Sequence, residues 1–136
     1  MISVYTDMGS TEKKTAIAYL VMDDSVYLDS DCIVIETNTR TSEMKELYAI
    51  HYALMKLQDI ETNDEDVTLY TDSDGALLCI ERTKSVRDRC VRSIRKMARE
   101  LNVHFKSIKA HTKERTPNTI VDSMCTLKLK KECDSS

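Results

Sequence analysis

The chain has 136 residues, 41% of them hydrophobic and 32% charged, and a formal net charge of −3. That length builds one ordinary domain, which buries roughly two-thirds of the surface its unfolded chain exposes, so a core forms without disulfides or a structural metal. No apolar run approaches the roughly 20 residues that span a bilayer, no signal peptide is visible, and the five cysteines (Cys32, Cys79, Cys90, Cys125, Cys133) include no CxxC pair, which excludes a simple zinc or disulfide framework and fits reduced thiols in a cytoplasmic protein.

Met1 to Thr6 reads as a short β-strand ending at Asp7, with Met8, Gly9 and Ser10 as turn chemistry. Thr15 to Met22 and Asp31 to Thr37 are two further β-branched, apolar runs, and three strands in succession predict an antiparallel meander. The period then changes. Met44, Leu47, Tyr48, Leu54, Met55 and Leu57 recur at helical spacing behind Thr41 or Ser42 as N-cap. Val67 to Thr71 is a strand ending at Asp72, and Asp74 to about Arg82 is a short helix. Ser85 and Asp88 resemble a capping box ahead of a helix with Cys90, Ile94, Met97 and Leu101 on one side and Arg92, Arg95 and Arg99 on another. Val103 to Ile108 is a fifth strand and Lys109 to Thr116 a polar loop. Thr116-Pro117 opens a last helix running to about Lys130.

The order β-β-β-α-β-α-α-β-α predicts an α/β fold. Its sheet is mixed and five-stranded, with strands 1–3 antiparallel, strands 1, 4 and 5 parallel, and helices on the faces. One domain over residues 1–131 is expected, with 132–136 as a polar tail.

Two strands end in the same phrase, Tyr5-Thr6-Asp7 and Tyr70-Thr71-Asp72. The carboxyl ends of parallel strands are where sites form, and adjacent aspartates there repel unless one is protonated or a cation lies between them. Carboxylate oxygens suit Mg²⁺ or Mn²⁺. Either aspartate alone reads equally well as a turn former or helix cap.

Four segments, in order and over nearly the whole chain, resemble the type 1 ribonuclease H family in its short form, which lacks the basic handle. They are Tyr5-Thr6-Asp7 with Gly9-Ser10, Lys45-Glu46-Leu47 in the first helix, Tyr70-Thr71-Asp72-Ser73, and Lys109-Ala110-His111 followed by Asn118 and Asp122. The resemblance implies a metal-dependent endonuclease that cleaves the RNA strand of RNA–DNA hybrids and leaves 5′-phosphate and 3′-hydroxyl ends. It implies two ions, Mg²⁺ or Mn²⁺, held by Asp7, Glu46, Asp72 and Asp122. Asp7 would contact both ions, Glu46 and Asp72 would complete one site, and Asp122 the other. His111, with an ordinary pKa near neutrality, would help activate water or release product. Asn118, one helical turn before Asp122, would support that carboxylate. Gly9, Ser10, Ser42, Glu43, Ser73 and Asp74 would meet the hybrid.

Three positions depart from the family's pattern. Ser42 and Glu43 stand where two asparagines are common, and Asp74 where bacterial members often have glutamine, so negative charge is added where a polyanion should lie. The run from Arg82 to Arg99 carries eight basic residues against one acidic, and Arg92 and Arg95 on its helix are candidate phosphate contacts. With one Phe and six Tyr, base stacking is not expected to lead binding. The partner expected is an RNA–DNA hybrid met by a monomer, with no membrane. A nuclease of the same fold acting on branched DNA, and a non-catalytic nucleic-acid-binding module, remain as alternative readings.

Overall fold

The computed structural model describes residues 1–11, 13–36, 41–62, 65–82, 89–108 and 117–134, apart from the side chains of 118 and 132–134. Among these residues the elements are β1 (Ile2–Ser10), β2 (Lys14–Asp23), β3 (Val26–Glu36), α1 (Ser42–Leu57), β4 (Val67–Thr71), α2 (Asp74–Glu81), α3 (Arg89–Glu100), β5 (Val103–Ser107) and α4 (Pro117–Asp134). The strands form one sheet in the order β3-β2-β1-β4-β5, with β1, β2 and β3 antiparallel and β1, β4 and β5 parallel. This is the mixed sheet expected from the order of elements.

Alternation along the strands sorts side chains to two faces. In β2, Tyr19 and Val21 join the larger core with Leu47, Ile50 and Leu54 of α1 and Ile94 of α3. Ala16, Ala18 and Leu20 join a smaller core with Val121 and Cys125 of α4. The sheet is thus clad by α1 and α3 on one face and by α4 on the other. Asn102 takes a left-handed conformation (φ 56°) after α3, as a residue closing a helix commonly does. Asp24 does so (φ 52°) in the β2–β3 turn, where its short polar side chain tolerates that geometry.

Two boundaries differ from the sequence reading in ways that matter for the site. β1 does not stop at Thr6, because Asp7, Met8, Gly9 and Ser10 pair with Ala18, Ile17, Ala16 and Thr15 of β2. The turn lies beyond them, closed by Thr11 N donating to the carbonyl of Lys14 at 2.9 Å. Gly9 is therefore not a turn residue but a point of close approach. A Cβ there would lie 3.3 Å from Leu129 Cδ1 and 3.4 Å from Cys125 Cβ, so its lack of a side chain lets α4 settle against β1. β3 begins at Val26 rather than Asp31, since backbone pairing with β2 carries exposed residues such as Val26 and Tyr27 into the strand. The last helix also runs past Lys130, to Asp134. The Ser85–Asp88 box and the Lys109–Thr116 loop lie outside the described residues.

Candidate active site

The β1–β4 ladder ends at Tyr5↔Tyr70, while β1 continues with β2 to Ser10. Asp7 lies two residues beyond the last β1 residue that pairs with β4, and Asp72 just beyond the end of β4. Local hydrogen bonds hold both turns. Met8 N donates to Asp7 Oδ1 at 2.8 Å. Ser73 N donates to Thr71 Oγ1 at 3.2 Å, and Ala76 N donates to Ser73 Oγ at 3.1 Å, so Ser73 caps α2 and Asp72 sits in the strand-to-helix corner. Thr41 caps α1, accepting from Met44 N at 3.3 Å. That sets the phase of α1 and turns Glu46 inward beside Leu47.

Three carboxylates converge: Asp7, Glu46 and Asp72 each offer an oxygen within 4.8 Å of the other two. Asp7 and Glu46 are each only 5% exposed. Burial, then Asp72 beside it, pushes Asp7 up to about 8, and Asp122 adds to the rise through a side-chain hydrogen bond. Burial, then Asp7 and Asp72, pushes Glu46 up to about 9. Glu46 Oε2 is buried with no hydrogen-bond partner among the described residues. An orphaned buried carboxylate oxygen beside two other acids calls for a proton or a cation. Carboxylate oxygens alone make a hard donor set, which fits Mg²⁺ or Mn²⁺.

The fourth expected carboxylate, Asp122, is exposed on α4. It is not one of the three mutually clustered acids but lies near enough to Asp7 to help raise that carboxyl. His111 lies outside the described residues, and so does the side chain of Asn118. Ser10 accepts from Lys45 Nζ at 3.2 Å, linking β1 to the first turn of α1. Ser42 and Glu43 are exposed in that first turn. Asp74 Oδ1 accepts from Ser107 Oγ at 2.7 Å, which ties it to the end of β5, while Ser73 caps α2.

The two arginines proposed for phosphate contact are not equivalent. Arg92 is exposed. Arg95 Nε donates to the carbonyl of Ile80 at 2.6 Å, and its Nη2 is buried, which commits this guanidinium to packing between α3 and α2. His51 hydrogen-bonds Ser93 Oγ at 3.0 Å between α1 and α3, and His104 on β5 is exposed beside Asp66.

The sequence reading passed over Gly75. A Cβ there would come within 2.6 Å of Glu43 Cγ. The Glu43 side chain therefore lies across the first turn of α2, beside Asp74. The signal was available, since Gly9 and Gly75 are the chain's only glycines and each marks a close approach.

The family model for RNase H matches residues 1–130. The chain belongs to the RNase H family and is, by that class, a ribonuclease H. Solved structures agree in fold. LC11-RNase H1, isolated from compost by a metagenomic approach, is 22% identical with a TM-score of 0.77, over 97% of each chain. RNase H1 from the halophilic archaeon Halobacterium salinarum NRC-1 is 19% identical with a TM-score of 0.72, over 96% of this chain and 98% of that one. LC11-RNase H1 in complex with an RNA/DNA hybrid is 21% identical with a TM-score of 0.70, over 95% and 99%. No curated protein matches the chain in sequence.

Proposed function

We propose that this ribonuclease H cleaves the RNA strand of RNA–DNA hybrids, as a cytoplasmic monomer, with Asp7, Glu46, Asp72 and Asp122 holding two divalent cations, Mg²⁺ or Mn²⁺. The observation that carries the reading is the convergence of Asp7, Glu46 and Asp72, from three separate elements, within 4.8 Å and with one oxygen orphaned. Membership of the family supports it, as does the hybrid bound to LC11-RNase H1.

Divalent cations supply such a site with activation of a water and neutralisation of the leaving 3′-oxygen. The chain's own part is to hold and release protons. Asp7 and Glu46, held high by burial and by neighbouring carboxylates, give up their protons as cations are taken up. Asp122 approaches Asp7 from α4 and completes the acidic set. His111 follows the described part of β5 in sequence and is assigned, from the resemblance, to carry protons to or from the reacting water or product. Gly9, Ser10, Ser42, Ser73 and Asn118 are assigned to the rim that meets the hybrid.

The test is cleavage of a strand-labelled RNA–DNA hybrid, beside duplex RNA, duplex DNA and branched DNA, with Mg²⁺, Mn²⁺ or EDTA. Metal-dependent cutting of the RNA strand alone, lost in Asp7→Asn, is the expected result. Cutting of branched DNA in its place, or full activity in Asp7→Asn, would overturn the reading.

A further inference from the structure

Cys32 on β3 and Cys125 on α4 are 93 positions apart in sequence, yet their side chains pack in the same small core. The packing around them agrees. Cys32 Sγ donates to the carbonyl of Met124, the neighbour of Cys125, at 3.8 Å. Both belong to the small core between the sheet and α4. Cys125 Sγ in turn donates to the main-chain carbonyl of Asp7 at 3.6 Å, and its Cβ lies against the open side of Gly9. The Cys125 S–H is therefore given to the backbone of a candidate metal-binding residue, in the core that Cys32 also enters.

We propose that Cys32 and Cys125 are an oxidative modification site, at which a peroxide converts the thiol pair to a disulfide that ties β3 to α4 directly behind Asp7 and slows the enzyme. A disulfide needs its sulfurs to close to about 2.05 Å, and these two side chains already share one core, with Cys32 Sγ against the residue next to Cys125. Cys125 is 1% exposed, whereas Cys32 is half-buried on the edge strand of the sheet and is the thiol an oxidant meets first. Cys125 beside it lowers the Cys32 thiol below its ordinary range, against the effect of burial, and Lys128 on α4 adds to the lowering. A stabilised thiolate is the form that attacks peroxide.

The chemistry balances. The Cys32 sulfur attacks one oxygen of hydrogen peroxide and the O–O bond breaks. Hydroxide leaves, takes up the Cys32 proton as water, and Cys32 becomes a sulfenic acid. The Cys125 sulfur then attacks the Cys32 sulfur. The S–S bond forms, the S–O bond breaks, and the oxygen departs with the Cys125 proton as a second water. Two thiols are oxidised and one peroxide is reduced.

The disulfide removes the S–H that Cys125 gives to the Asp7 carbonyl. It also draws α4 toward β3, and α4 carries Asp122 three residues before Cys125. The effect on the enzyme rests on the function proposed above; formation of the bond does not.

The full chain, reduced and then treated with hydrogen peroxide, is alkylated, digested and mapped by mass spectrometry, with hybrid cleavage measured on the same samples. A Cys32–Cys125 cross-linked peptide is expected in the wild type, together with a fall in cleavage of about tenfold to a hundredfold, the loss that displacing reacting groups by about 1 Å produces. A thiol reductant should reverse both, and Cys32→Ser should show neither. Independent alkylation of Cys32 and Cys125 after peroxide would overturn the proposal, and so would an unchanged rate in fully cross-linked protein. If the reduced protein cleaves no hybrid, that result counts against the proposed function alone, because the peptide map needs no turnover.

Discussion

Asp7 and Glu46 show how position overrides residue type. A carboxyl group in water titrates near 4, yet here burial and the neighbouring carboxylates, Asp72 above all for Asp7 and Asp7 with Asp72 for Glu46, raise Asp7 to about 8 and Glu46 to about 9. In metal-free protein the folded state thus keeps protons that the unfolded chain has already released. The stability tied to those protons is complete below about pH 4 and is lost as pH rises through the two folded values. Melting temperature in EDTA should therefore fall between pH 7 and pH 9. Millimolar Mg²⁺ or Mn²⁺ should oppose that fall, because cations bind and stabilise the deprotonated form. Scanning calorimetry across that window checks both statements, and a flat profile in EDTA would mean that solvent reaches the carboxylates. Asp7→Asn bears on the same balance. It removes one of the repelling charges, so the metal-free variant should melt no lower than the wild type while gaining little from added metal.

At the scale of elements, the site depends on how closely helices approach the sheet. Gly9 is the clearest case. Gly9→Val would put branched carbons where Leu129 Cδ1 and Cys125 Cβ already lie 3.3 and 3.4 Å from a bare Cβ position. We expect a loss of about 1–3 kcal/mol, the usual cost of overpacking, with weaker Mn²⁺ uptake by titration calorimetry because α4 carries Asp122. Wild-type stability in Gly9→Val would show that α4 shifts at no cost.

The first turns of α1 and α2 meet where Glu43 crosses Gly75 beside Asp74. A carboxylate at a helix N-terminus interacts favourably with the helix dipole, but it also occupies ground that favours a phosphate. Glu43→Gln should lower KM for hybrid several-fold at low salt with kcat little changed. The difference should shrink at high ionic strength as the charge is screened. A KM unaffected at low salt would mean that the hybrid does not approach this corner.

For the whole molecule, a net charge of −3 must be reconciled with a polyanionic partner. Affinity for a phosphate backbone follows local cationic clusters rather than the sum. On α3 the exposed arginines include Arg92 and Arg99, while Arg95 is held by Ile80. Reversing Arg92 and Arg99 to glutamate should raise KM for the hybrid and flatten its dependence on salt by roughly one unit of log–log slope per lost phosphate contact. An unchanged KM and slope would mean that α3 faces away from the substrate.

The sequence by itself determined the elements and their order, because hydrophobic period, capping residues and strand composition are local properties. Val67–Thr71 was legible to the residue, the α1 cap only as far as Thr41 or Ser42, and the antiparallel and parallel halves of the sheet followed from where helices intervene. Asp7, Glu46 and Asp72 were legible as candidates through short motifs on the right elements. Tertiary structure alone decided that their oxygens lie within 4.8 Å of one another, since that distance depends on how α1 packs across two diverging strands. It also decided that Gly9 is a contact point within β1, because strand pairing with β2 outweighs local turn chemistry. The same holds for Arg95, turned into the fold by a carbonyl on another helix, and for Glu43, laid over Gly75. Cys32 and Cys125 make the point most directly. Nothing local relates two residues 93 positions apart, and only the packing of α4 against the sheet brings them into one core.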